Sequence, residues 1–320
     1  MNPPPLPRVA KYGGRILVGM ETSTGFGRVA AVRHRVGGFF VGHARSLAAS
    51  TAGLTFLLVL LGEFPAASGA GATCNYTYPG CAGQLSPVGL SVPQFVEWFH
   101  RLVAMLTGYV ILGNAIVLWR AFPGTRISRA AWLAAVLLPV QVFVGGVTVT
   151  FAELFPGGYA PPVQLAHFAT AFAILVSLVA TVVWVDERVG TGATVDRLYL
   201  VAVAGLGLTG FQAVFARDLV FTFWPTIQTA YHALGHVAIA LFVTAAIWSR
   251  DLALVDGGIS ASMGATIGTA NAFLVLGIFL ITPSIEATTY LLLFVQLVLF
   301  GWLVRVAGTA RDRSYLAALR

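Results

Sequence analysis

Residues 94–119 read QFVEWFHRLVAMLTGYVILGNAIVLW, an apolar run interrupted near its start by Glu97, His100 and Arg101. About 20 apolar residues in a helix cross the hydrocarbon core of a bilayer, so this stretch reads as a transmembrane helix. Ionisable side chains inside a span are costly and generally face a bundle interior or a water-filled space. Glu97 and His100 are therefore candidates for function. Three residues apart, they share one helical face.

The same apolar character recurs along the chain. Of 320 residues, 58% are hydrophobic and 10% charged, and the mean hydropathy of +0.84 lies far from that of a soluble domain. Spans are expected at roughly 46–64, 94–119, 129–152, 162–185, 196–216, 226–248, 262–282 and 286–306. The fold class is all-α, a polytopic membrane protein of eight transmembrane helices. These divide into two tandem four-helix bundles, at roughly 46–190 and 191–320, behind a basic segment 1–45.

Charge sets the orientation. Arg8, Lys11, Arg15, Arg28, Arg33, Arg35 and Arg45 precede the first span, and most other basic residues follow even-numbered spans: Arg120, Arg126, Arg129, Arg188, Arg197, Arg250 and Arg305 onward. Loops after the odd-numbered spans are nearly free of Lys and Arg, with Arg217 the exception. The positive-inside rule then places both termini in the cytoplasm of a cell-membrane protein. The net charge of +7 is read as span-flanking arginine facing anionic lipid headgroups, and no basic stripe with interleaved aromatics points to nucleic acid. A basic region of about 45 residues is too long to open a signal peptide, so the first span is read as retained. The Gly-rich N-terminal segment is expected to be polar and mobile, with His34 and His43 on the surface.

Both cysteines fall in one loop, Cys74-Asn-Tyr-Thr-Tyr-Pro-Gly-Cys81, on the outer side by the charge argument. Thiols oxidise there, and Pro79-Gly80 can turn the chain back, so a Cys74–Cys81 disulfide is expected.

The halves echo one another. Pro93 precedes His100, and Pro225 precedes His232, by the same interval. The chemistry differs, however: the first half has Glu97, His100 and His167, whereas the second has His232 and, one turn on, His236. Opposite His232, span eight offers Thr288, Thr289 and Tyr290 rather than histidine. His232 and His236 share a face; core hydrogen bonding is favoured over metal binding for the pair.

Imidazole suits iron, and heme is held from both faces by histidines on facing helices. His100 and His167 lie at similar depth in spans two and four. Arg101 is placed to meet a heme propionate. In span three, Gln141-Val-Phe-Val-Gly145-Gly146-Val147-Thr148-Val149 carries adjacent glycines, which admit either a close helix or a porphyrin.

These residues resemble the heme A synthases of cytochrome oxidase assembly. Four stretches carry the likeness: Cys74-x6-Cys81 with Pro79 and the following Ala82-Gly83-Gln84-Leu85-Ser86-Pro87; Glu97-x-x-His100-Arg101; Gln141-x3-Gly145-Gly146-Val147-Thr148-Val149; and His167 with Ala171. The resemblance implies oxidation of the C8 methyl of heme O to the formyl of heme A. His100 and His167 would embrace the porphyrin and Glu97 would stand near the reacting methyl. It also implies a heme O synthase as supplier, an electron acceptor or donor, and membrane lipid as surroundings. In that family the second half typically holds a heme b between two further histidines. Here His232 matches one of these, with His236 the weaker candidate, and the opposing position lacks a histidine.

Two other readings share these features. One is a bis-histidine membrane cytochrome that carries electrons; the other is a heme-handling transporter. Glu97 separates the first from the enzyme, since an electron carrier has no need of an acid one turn from an axial ligand, and only the motif set argues against the second.

Overall fold

The computed structural model describes residues 25–150, 160–256, 259–281 and 286–318, with side chains described over 41–150, 160–254, 260–277 and 287–318. Eight α-helices occupy the described residues: α1 Gly25–Ser68, α2 Val92–Ala121, α3 Arg126–Thr150, α4 Pro161–Val189, α5 Val195–Val214, α6 Pro225–Asp251, α7 Ala261–Ile281 and α8 Glu286–Ala318. A 3₁₀ turn, Ala70–Cys74, follows α1, and a two-residue antiparallel ladder (β1 Val255–Asp256, β2 Ile259–Ser260) joins α6 to α7. Seven helices are long and apolar enough to cross a membrane. Helix α7, at 21 residues, spans about 30 Å, matching a bilayer core. The molecule is a multi-pass membrane protein.

Met1–Phe39 and Phe40–Arg320 form separate units. The first is helical from Gly25 among the described residues. Between Gly27 and Gly37 the residues are Arg, Val, Ala and His, all tolerable in a helix, and extending a formed helix adds one hydrogen bond per residue fixed. His43 is exposed; the His34 side chain lies outside the described residues. Everything that follows concerns the second unit.

Helices α2, α4 and α6 each begin with proline in the first turn, Pro93, Pro161 and Pro225. There the missing N–H costs nothing, because first-turn amides have no intrahelical partner. Ser91 caps α2, its backbone N–H donating to Gln94 Oε1 at 3.0 Å. These starts place Glu97, His100, His167 and His232 in the early turns of their helices, all at the end of the bundle that carries the Cys74–Cys81 loop.

Two packed cores hold the helices together. One fills the bundle of α5 to α8 from end to end, from Trp248 and Ala261 up to Tyr231, Leu276 and Leu293. The other joins α1 to α4 through Ala48, Ile111, Leu118, Ala131 and Leu178, and is confined to the end away from the loop. Beyond it α2 buries no side chain between Glu97 and Thr107, and α3 buries none after Ala135 among the described residues. The first bundle is thus close-packed at one end and loosely packed where its histidines sit. At the packed end, Asp186 takes Arg45 at 2.9 Å and Arg197 at 3.0 Å, tying α1, α4 and α5.

Candidate functional site

The early turns of α2 are built around the loop that precedes it. Gln94, Trp98 and Arg101 are spaced four and three residues apart and so share a face. Gln94 Nε2 donates to the Thr73 carbonyl at 3.0 Å, and Trp98 Nε1 to the Leu85 carbonyl at 2.8 Å. Arg101 Nη1 donates to the carbonyls of Thr77, at 2.8 Å, and of Gly80. Cys74 and Cys81 are joined as a disulfide, with Cα atoms 4.5 Å apart, and both are fully buried.

Arg101 has a second task. Its Nε donates to Glu97 Oε1 at 2.8 Å, with the two side chains only 11% and 9% exposed. One guanidinium therefore orients the carboxylate and fastens the loop above it. Arg101 Nη2 is buried without a hydrogen-bond partner, so this nitrogen is the part of the side chain left for an incoming oxygen. Arg101→Ala leaves Glu97 buried and unpaired, a loss expected to cost about 3–5 kcal/mol; a lower unfolding temperature in detergent checks it. Arg101→Lys should recover little, since an ammonium lacks the fork that serves Glu97 and the loop together.

His100 and His167 are both half-buried and close enough to interact electrostatically. Each imidazole lies against a glycine. A Cβ on Gly62 of α1 would stand 2.6 Å from His100 Cε1, and one on Gly145 of α3 would stand 2.9 Å from His167 Cε1. His167 Nε2 lies 3.2 Å from Gln141 Nε2. The Nδ1 atoms of both histidines are buried and have no hydrogen-bond partner. The adjacent glycines of α3 thus admit rings on two sides, the imidazole of His167 at Gly145 and Tyr78 of the loop at Gly146, 3.5 Å from a Cβ there. Tyr78 also lies under the Arg101 guanidinium, 5.5 Å from its ring centroid.

The second bundle presents a different arrangement. His232 and His236 are each 1% exposed. Glu63 of α1, a residue not among the sequence-derived candidates, places Oε1 3.1 Å from His232 Nδ1 and 3.5 Å from His236 Nε2. His236 Nδ1 donates to the His232 carbonyl at 2.8 Å, and Phe56 and Phe168 close edge-on around its ring. Gly62 and Glu63 are consecutive, so α1 touches a histidine of each bundle with neighbouring residues. Glu63 is marked in the sequence as an acid within an apolar run, the same signal that singles out Glu97. Its partners lie on a helix remote in sequence.

Among the described residues no group of three or more His, Cys, Asp or Glu is arranged to hold a metal ion on its own. The first site offers instead an imidazole from α2 and one from α4, each with a buried, partnerless ring nitrogen, at the end of the bundle that buries few side chains. That donor set suits iron already enclosed in a porphyrin.

A family model described as cytochrome oxidase assembly protein matches residues 45–216, a stretch that includes Glu97, Gln141, Gly145 and both first-bundle histidines. A protoheme IX farnesyltransferase of Halobacterium salinarum is 36% identical over 145 residues, covering 45% of this chain and 30% of that protein. One from Thermus thermophilus is 29% identical over 190 residues, covering 56% and 31%. A heme A synthase of Bacillus cereus is 25% identical over 173 residues, covering 52% of this chain and 54% of the relative. The matches thus span about a third of the farnesyltransferases and about half of the heme A synthase. No solved structure matches.

Proposed function

The chain belongs to the family of cytochrome oxidase assembly proteins, and on that premise we propose that it is a heme A synthase, which oxidises the C8 methyl of heme O to a formyl group. The observation that carries the reading is the pair His100 and His167. Both are half-buried in the early turns of α2 and α4, at the end of the first bundle that buries few side chains, and a buried carboxylate stands one turn from one of them.

In this reading the substrate heme O is held between the imidazoles of His100 and His167, and its iron supplies the redox centre of the reaction. Glu97 takes up protons as the methyl carbon loses hydrogen, or stabilises positive charge developing there. Arg101 acts as a positioning residue that fixes the carboxylate and offers Nη2 to a propionate. Gln141 holds the His167 ring, and the disulfide loop with Tyr78 covers the site. Converting a methyl to a formyl adds one oxygen atom; with water as its source the step is R–CH3 + H2O → R–CHO plus four protons and four electrons, and on that route an electron acceptor in or at the membrane is the required partner. The farnesyltransferase relatives, named for work on protoheme, support a farnesylated heme as substrate and an enzyme of that kind as its source. The arginine distribution and the disulfide support a cell-membrane location with both termini in the cytoplasm and the loop outside.

Co-expression with a source of heme O tests the assignment. Heme extracted from the membranes and separated chromatographically should contain heme A only when this chain is present. Heme O that persists unchanged beside well-expressed protein would reject it, and a bound heme without conversion would favour the electron-carrier reading.

A further inference from the structure

The family's pattern implies a second porphyrin, heme b, in the C-terminal bundle, with His232 on one side. We infer that the C-terminal bundle of this chain takes no porphyrin, and that Glu63 with His232 and His236 forms a closed polar lock in its place.

Glu63 alone does not decide the matter. A carboxylate on the Nδ1 side of an imidazole is also how an axial histidine is commonly oriented toward a metal. What decides is the opposite ligand and the space. The chain's six histidines are His34, His43, His100, His167, His232 and His236, and both cysteines sit in the loop disulfide. The second half's methionine, Met263, is exposed in the first turn of α7, at the far end from His232. On α8 the Tyr290 hydroxyl donates to the Arg217 carbonyl at 2.6 Å, which turns that helix's phenol toward the α5–α6 loop, and Tyr231 lies on the same helix as His232 and so cannot oppose it.

The interior is occupied as well. Gln296 Nε2 reaches Thr209 Oγ1 at 2.9 Å and Gln212 Oε1 at 3.3 Å, and Gln212 Nε2 reaches the Tyr231 carbonyl at 3.3 Å. This network crosses between α5, α6 and α8 next to the histidines. Gly235, on α6 between His232 and His236, has no free face: a Cβ there would meet Leu276 at 2.5 Å and Gln212 at 2.8 Å. Deeper in, Phe242 and Phe300 stack at 3.7 Å between centroids. Interiors packed at this density do not admit a macrocycle without displacing several side chains at once. The contrast with the first bundle is direct, since His100 and His167 are half-buried whereas His232 and His236 are each 1% exposed.

The inference predicts one porphyrin per chain. In an enzyme of the proposed kind, electrons then leave the reaction site directly to a partner, without an internal relay through a second heme; this last step rests on the proposed function. The test is a titration of the purified full-length protein in detergent with hemin, counting bound heme per chain by its pyridine complex. Wild type should saturate at one. His100→Ala combined with His167→Ala should bind none, and His232→Ala should still bind one with an unchanged spectrum. Saturation at two, or heme that survives the double substitution and is lost on adding His232→Ala, would overturn the inference while leaving the first site intact. The wild-type count decides even if His232→Ala fails to fold. A wild type that takes up no heme would agree with the closed second bundle and would instead sink the reading of the first.

Discussion

Replacing Glu97 with alanine is expected to lower heme A formation at least about 100-fold while the protein still accumulates and binds heme. That is the scale of losing a positioned acid–base group. Glu97 is buried, held at 2.8 Å by Arg101, and one turn from His100, so it can face a porphyrin substituent without competing for the iron. Removing it also strands the Arg101 guanidinium, and part of the loss could then arise from a displaced loop. Glu97→Gln separates the two effects. The amide oxygen can still accept from Arg101 Nε, yet the group carries no charge and takes up no proton. Heme A should therefore be lost in the glutamine variant as well, with the unfolding temperature closer to that of wild type. Undiminished heme A in either variant, read by chromatography of extracted hemes, would reject the role.

His100→Ala and His167→Ala are each expected to abolish or grossly alter the heme absorption spectrum, because in the proposed function each removes one axial imidazole. A subtler pair of substitutions tests the same geometry without touching a ligand. Gly145→Ala puts a methyl 2.9 Å from His167 Cε1, closer than carbon atoms tolerate, whereas Gly146→Ala meets Tyr78 at an ordinary 3.5 Å. The first should weaken heme binding about 10–100-fold, the scale seen when a ligand's orienting surroundings are disturbed. The second should leave it nearly unchanged. Equal affinities for the two variants in a hemin titration would mean that His167 does not hold the porphyrin from its observed position.

How far the sequence reveals this arrangement depends on the range of the interaction concerned. Eight helices follow from apolar runs of membrane length, and the cost of charge in lipid points to Glu97 and His100. These signals are local. The partners of Arg101 are less legible, because Thr77 and Gly80 reach it only through the fold of the disulfide loop. Sequence therefore suggests a propionate for Arg101 and is silent on its bond to the loop. Glu63 shows the same limit more sharply. It carries the mark that identifies Glu97, but it stands near the end of its apolar run, beside Pro65, where an acid can equally well meet water. Only the approach of α1 to α6 in the folded chain brings it to His232 and His236. Helix α1 also begins well before the apolar run, because the arginines from Arg28 to Arg35 are good helix formers and do not interrupt it.

The sequential neighbours Gly62 and Glu63 bear on how such a chain can be divided. The repeat suggests two modules that could be cut apart after α4. Yet a fragment ending there would carry the Glu63 carboxylate into lipid with neither imidazole to meet it, while a fragment beginning at α5 would expose His232 and His236 on the surface that α1 covers. The two halves echo one another in sequence, but gene dissection at the midpoint severs a contact each half needs. A split that keeps α1 with both products, or co-expression of the two pieces, respects the architecture; truncation does not.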